Sequence, residues 1–471
     1  MTSSRPTTGR DSSGFWRLAL SLCATLALAA GALGVVGARR PPALTSATIA
    51  VERAVAVGGQ QLVLKGRQPL LEVAPEQVEV IPSAPFTVAT RDAQVMLSFP
   101  QPLPYGTDYT VVVHGVTSRH TGISADWGYT FSTPDYAVYS LVSRGPSRLG
   151  AEDRVTRTTV DGSEPEIVLA SPGLEEYAVT AGTVVAIART GDIETELVAT
   201  VAAGADLMRL ETPPGTSQAR LRGSAEHGLI GYTVSGQTPE RSFERALFLQ
   251  DVADPSTTPH EVTAAGGTPL PVVDWAFIPG TRSLVLQDDA GQVFLTGVEP
   301  GSGLVPLGSH EHLLGFLPGT TTLVVVTGND EALLDLAAGT TTALPEAGDA
   351  GATDILAGKR TMISPTEWVQ QFDDITMVGE VATITSRLVH TRAGSDTTVA
   401  TVPPDLGRLL DSGVSANGQF AWVEILTAGA PTEDLTSGAT DNAITVLIDL
   451  ATGESLAAVP GAEPLWVTGG S

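Results

Sequence analysis

Residues 274–303 read DWAFIPGTRSLVLQDDAGQVFLTGVEPGSG, and residues 313–342 read LLGFLPGTTTLVVVTGNDEALLDLAAGTTT. Each is an apolar strand, a Pro-Gly turn, a longer apolar strand, a polar turn and a third strand that runs into glycine. Gly280 and Gly319 are 39 residues apart, and Gly319 and Gly358 are again 39 apart. A period near ~40 built of short strands and turns is the mark of a β-propeller with one four-stranded blade per repeat. An ordinary β-sandwich with coincidental spacing is the competing reading.

The same frame extends both ways. Its first turn is expected at Ala181-Gly182 and His227-Gly228 upstream, and at Gly358-Lys359 and Asn417-Gly418 downstream. The chain from Asp135 supplies three strand-like runs, in the manner of a blade that lacks its first strand. At the other end AEPLWVTGG, from Ala462, is one strand left over. Together they predict an all-β, seven-bladed propeller over 135–471, closed by the C-terminal strand, which removes the open sheet edges.

Composition agrees with an all-β class. The 50 glycines and 32 prolines suit many turns, and only Lys65 and Lys359 are lysines. A net charge of −26 excludes a nucleic-acid partner, because a phosphate backbone needs a basic face, and it serves solubility. The one cysteine, Cys23, lies in an apolar run, so the folded part holds neither disulfide nor thiol chemistry.

Residues 1–17 are expected as a cytoplasmic tail. From Leu18 to Ala38 no residue is charged, a length that spans a bilayer, whereas a cleavable signal has an apolar stretch of roughly 7–15 residues. The length favours an uncleaved transmembrane signal anchor over a signal cut after Val36-Gly37-Ala38. The flanking arginines nearly tie, so an extracytoplasmic position for the bulk rests on the acidic, β-rich cargo. The expected location is a single-pass protein of the cell membrane. A stiff linker over 39–44 follows.

Residues 45–134 hold about seven strand-like runs, the count of an Ig-like β-sandwich. In the last run Trp127, Tyr129 and Phe131 alternate, so that one face supplies core. Phe99, the run from Leu103 to Tyr109, and Phe131 to Thr133 resemble the bacterial Ig-like domains of S-layer and cell-surface proteins. That resemblance implies a spacer or adhesive unit at the surface. The propeller is similar in blade layout to WD-repeat and Tol-type propellers, without a strict Trp-Asp ending, so no functional residue carries over from them.

In this frame the tight turns Pro279-Gly280, Pro318-Gly319 and Asn417-Gly418 open on one side of the ring. The other side receives longer charged loops, expected over 236–244, 365–380 and 431–441. The candidate binding residues on that acidic side are Asp288, Asp289, Asp330, Glu331, Asp373, Asp374, Glu433 and Asp434. The alternative is that these loops tolerate insertion and carry charge for solubility. His310 and His312, two apart, can share a metal if they lie on one strand, though no third ligand is evident. No calcium-loop spacing, G-x-S-x-G element or phosphate-binding loop is present, and no cofactor is expected. Trp275, Trp422 and Trp466 are expected as packing residues.

Two functions follow. The first is a membrane-anchored extracytoplasmic binding or scaffold protein whose acidic loop face engages a protein or cell-envelope partner. The second is an envelope enzyme, a hydrolase or lyase, metal-dependent or not, with its site at the channel mouth.

Overall fold

The computed structural model describes residues 21–22, 24–26, 41–144, 152–159, 164–180, 182–191, 193–201, 203–224, 226–254, 257–328, 330–345, 355–378, 381–431 and 439–468. Most of the expected span 18–38, together with Glu433, Asp434 and the glycines after Thr468, lies outside these residues. No helix among the described residues is long and apolar enough to cross a membrane.

The chain divides into two compact units. One comprises the described residues up to Ala50 with Gln61–Ser98 and Asp108–Phe131, and the other Val51–Gln60, Phe99–Thr107 and Ser132 onward. The first unit holds two antiparallel sheets. Leu44–Thr48, Gln60–Gly66, Gln94–Phe99 and Thr87–Arg91 form one, and Val78–Ile81, Asp108–Thr117 and Ser124–Ser132 the other. Strand alternation sends Trp127 and Phe131 into the core, with Tyr109 stacked 5.2 Å from Phe131. The Trp127 indole lies so close over Gly66 that a Cβ there would stand 2.7 Å from the ring. Its N–H donates to the carbonyl of Pro42 at 2.9 Å.

In the second unit the described residues form seven four-stranded sheets. Six run in sequence order, over 174–209, 216–261, 272–309, 312–343, 355–402 and 407–460. The remaining sheet joins the two ends of the region. Tyr136–Val142, Glu152–Thr159 and Glu166–Pro172 are completed by Ala462–Thr468, which pairs antiparallel with Tyr136–Val142 so that Trp466 lies opposite Val138. This is the expected closure. First strands of successive sheets pack against one another, as between Leu174–Val179 and Thr216–Ser224 or Ile355–Ser364 and Gly407–Val414, so the sheets are arranged as a β-propeller.

The tight first turns form where expected in five sheets, with Gly182, Gly228, Gly280, Gly319 and Gly418 all at positive φ, a conformation that costs glycine little. The sixth sheet departs from the frame. Gly358 and Lys359 lie inside the strand Ile355–Ser364, not in a turn, and that sheet turns at 365–366. The loop expected over 365–380 is instead a twelve-residue strand, Glu367–Val378, paired along its length with Val381–Arg392. Its sequence, EWVQQFDDITMV, mixes aromatic and β-branched residues with polar ones, and Arg387 pairs across the strands with Asp374, so extension competes successfully with looping. The segment 236–244 is likewise a hairpin, closed by Thr238 and Arg241.

Cores lie between neighbouring sheets. Trp275, fully buried, packs edge-on to Phe277 at 5.2 Å among Leu247, Leu249, Leu284 and Leu286. A ring there is worth about 3–5 kcal/mol against truncation to alanine. Because Ala462–Thr468 supplies the missing strand of its sheet, deleting residues 462–471 should lower the melting temperature by on the order of 10 °C or abolish a cooperative melt. A truncated chain that melts like the intact protein would show that the pairing does not hold the propeller together.

Candidate functional site

Every first strand of the seven sheets carries an irregularity in register. It falls at Ala462/Leu465, Leu174/Glu176, Ala219/Arg222, Val272/Asp274, Leu313/Gly315, Ala357/Arg360 and Leu409/Asp411. A bulge leaves backbone groups outside the ladder, and these must find other partners. The Glu176 carboxylate accepts the N–H groups of Arg220, at 3.0 Å, and Leu221, at 2.6 Å, in the neighbouring sheet's bulge. Glu424 does the same for Glu463 at 2.6 Å, joining the last sheet to the closing strand. Tyr177 donates to the Glu463 carbonyl from the other side at 2.5 Å.

Ion pairs complete this polar belt between sheets. Arg222 meets Asp274 at 2.8 Å, Lys359 meets Asp411 at 2.8 Å, and buried Arg360 meets Glu331 at 2.6 Å. Burial pushes the pKa of Glu424 up to about 7, against the opposing effect of the Glu463 N–H. Glu463 is also raised to about 7, by desolvation first and then by the charge of the neighbouring Glu424 carboxylate.

The two ends of the propeller differ. At the tight-turn end, Val51–Gln60 and Phe99–Thr107 run across the first turns as a strap. Gly58 donates to the carbonyl of Gly319 at 2.9 Å, Leu103 to that of Ala54 at 2.7 Å, and Tyr105 to the Gln419 side chain at 2.8 Å. Approach is close enough that a Cβ on Gly319 would stand 2.1 Å from Pro102. Beneath this strap lies a cavity of about 1080 Å³, walled by Arg53, Val57, Tyr105, Tyr139, His227, Phe277 and Trp466 among others.

At the opposite end, between the sheets over 272–309 and 312–343, a groove of about 580 Å³ brings together Asp288, Asp289, His310, Glu311 and His312. Asp288 is a turn former, accepting the N–H groups of Ala290 and Gln292 at 3.0 and 2.8 Å. Asp289 and Glu311 are exposed, and Asp289 lies 3.8 Å from Arg245. His310 is buried with Nδ1 2.9 Å from the Thr327 hydroxyl, and burial lowers its pKa, whereas His312 is exposed. The histidines therefore occupy different environments, His310 in the connection ahead of the strand that His312 begins. Among the described residues no three His, Cys, Asp or Glu side chains are grouped to hold a metal ion.

The other candidates are dispersed. Asp330 is exposed at a strand start, and Glu331 belongs to the belt. Asp374 is engaged by Arg387 at 2.5 and 3.0 Å, while Asp373 accepts from Gln371 at 3.2 Å. Trp275 is the packing residue expected, while Trp466 also walls the cavity. The belt and the cavity were not expected from the sequence. Their one local trace is a charged residue interrupting apolar first strands, as in Glu176, Asp274 and Asp411.

No protein-family profile matches the chain, and no curated protein matches it. Solved structures similar to it include the periplasmic gluconolactonase PpgL of Pseudomonas aeruginosa, at 13% identity and TM-score 0.39, covering 70% of this chain and 99% of that one. Another is the Cps50 (Swd1) β-propeller domain of Myceliophteria thermophila, at 10% identity and TM-score 0.37, covering 63% and 88%. A third is a prolyl endopeptidase, at 12% identity and TM-score 0.39, covering 70% and 49%. These neighbours carry no argument about activity.

Two outcomes follow from this geometry. A carboxyl whose folded pKa is raised stabilises the fold fully below its unfolded value near 4.5 and loses that contribution as pH climbs through about 7. Glu424→Gln keeps an acceptor for the Glu463 N–H, so the melting temperature of the wild type relative to the variant should fall between pH 5 and pH 8. Parallel pH profiles would show that Glu424 does not titrate in this range. Gly319→Ala should cost about 1–3 kcal/mol more in urea unfolding than Gly339→Ala, which shares a positive φ but has nothing within 4 Å of its Cβ position. Equal costs would show that the strap does not press on this turn.

Proposed function

We propose that this chain is a membrane-anchored extracytoplasmic binding protein. In this reading residues 18–38 form an uncleaved anchor, 45–134 an Ig-like spacer, and 135–471 a seven-bladed propeller that engages a protein or cell-envelope partner. The observation that carries it is the inequality of the two propeller ends. The tight-turn end is crossed by the chain's own residues 51–60 and 99–107, while the opposite end keeps an exposed groove rimmed by Asp289, Glu311 and His312. Seven sheets closed by the C-terminal strand support the blade count, and seven strands in two sheets support the Ig-like reading. The enzyme reading, a hydrolase or lyase at the channel mouth, has less behind it, since the carboxylates of the belt are engaged in bulge N–H bonds and ion pairs.

Cross-linked capture of the anchored protein from its native membrane tests the proposal. A stoichiometric partner should be recovered, and Asp289→Lys with Glu311→Lys should weaken its binding by about tenfold or more, with the difference shrinking in high salt. Retention of the partner at unchanged affinity in the double variant would remove the acidic end as its site.

A further inference from the structure

The cavity under the strap is a second feature, independent of the acidic end. Its volume of about 1080 Å³ lies at the upper edge of the roughly 300–1,000 Å³ typical of pockets that take drug-sized ligands. Four aromatic side chains stand in its walls. Tyr105 comes from the strap, Tyr139 and Trp466 from the sheet that joins the two ends of the region, and Phe277 from the sheet over 272–309. Val57, Val168, Val184 and Val467 line it as well, so an occupant meets a largely apolar wall.

The charges in the lining do not cancel. Arg53 stands 3.9 Å from Glu226 and donates to the Gly280 carbonyl at 3.4 Å, and Arg157 stands 3.6 Å from Glu166 and donates to the Tyr139 hydroxyl. Glu52, exposed on the strap, is a third carboxylate against those two guanidinium groups. The lining is therefore acidic by one charge, in a protein whose net charge is −26. Both favour a cation over an anion.

The rings act in the same direction. The face of an aromatic ring carries negative charge density and attracts a cation within about 6 Å of its centre. Among the described residues this attraction recurs outside the cavity, with Arg222 over Trp275, Arg241 over Phe243, Lys359 over Trp422, Arg360 over Trp368 and Arg387 over Phe372, at 4.4–5.9 Å. None of the four cavity rings carries such a cation, and both lining arginines are engaged by oxygen acceptors instead. A quaternary ammonium has no N–H to satisfy, so an apolar, aromatic wall with one carboxylate in excess suits it without any hydrogen bond.

We propose that this cavity binds an organic cation, a quaternary ammonium head on an apolar body, with the head against the aromatic walls, its charge balanced by Glu52, and the body against the valines. The strap supplies Glu52, Val57 and Tyr105, so the site exists only where residues 51–60 and 99–107 cross the first turns.

Titration calorimetry of the full chain with octyltrimethylammonium, 1-octanol and octanoate tests this, because the three share a chain and differ in the charge of the head. Octyltrimethylammonium should bind saturably at millimolar concentration or below, about tenfold or more tightly than 1-octanol, and octanoate should bind more weakly still. Phe277→Leu keeps an apolar side chain and removes the ring face, so it should weaken binding of the cation about fivefold and leave 1-octanol unchanged. Glu52→Gln should weaken the cation about threefold at low salt, with the difference shrinking at high salt. Glu240→Gln, at an exposed acid outside the lining, should leave affinity unchanged, with circular dichroism confirming the fold of each variant. Binding of 1-octanol or octanoate as tight as that of the cation would overturn the proposal. So would the absence of saturable binding by the cation, or an affinity for it that neither Phe277→Leu nor Glu52→Gln changes.

Discussion

The pairing of Ala462–Thr468 with Tyr136–Val142 is the constraint on which the second unit depends. Without it one sheet would present an unpaired edge, and every inter-sheet contact on both sides of it would lose a wall. The seam is reinforced from three directions. Glu424 accepts the Glu463 N–H, Tyr177 donates to the Glu463 carbonyl, and Ser140 donates to the carbonyl of Pro460 at 2.7 Å. The last strand of the chain is thus bound to both neighbouring sheets as well as to its own ladder.

The bulges explain how acidic residues come to line the middle of the propeller. Each slip in a first strand turns backbone N–H groups out of the ladder, and a carboxylate from the adjacent sheet is a strong acceptor for them. Glu176 and Glu424 act in this way. Where a bulge presents a cation instead, as with Arg222, Lys359 and Arg360, the adjacent sheet answers with Asp274, Asp411 or Glu331. The belt therefore couples neighbouring sheets through directional contacts that apolar packing does not supply. Burial makes the Glu424 carboxyl costly to ionise even though the Glu463 N–H favours its charge, and its pKa is raised accordingly.

The two ends of the propeller follow from loop length. Five of the first turns are short and carry a glycine at positive φ, so they form a low rim on which residues 51–60 and 99–107 lie, and a cavity remains beneath. At the other end the groove around Asp289 and Glu311 is formed by a 2–3 turn and a connection between sheets, which leaves side chains projecting. Those residues have few protein partners, unlike the belt carboxylates, and their charge is available for another molecule.

Repeat length, strand alternation and glycine turns made the all-β repeat and its closure legible from the residues themselves, because these features depend on local geometry with a fixed period. So was the first unit's alternating core of Trp127 and Phe131. The groove was legible in part, since Asp288, Asp289, His310 and His312 do converge, but the separation of buried His310 from exposed His312 was not. The repeat frame places Asp373 and Asp374 on a loop over 365–380, whereas Arg387 on the next strand holds Asp374 within a sheet. The sequence by itself thus determined the repeat, the turns and the pairing of the two ends. Only the tertiary structure decided which carboxylates meet bulges in another sheet, that residues 51–60 and 99–107 cross the first turns, and that a cavity lies beneath them. Those outcomes rest on contacts between residues far apart in the chain, and no local pattern encodes them.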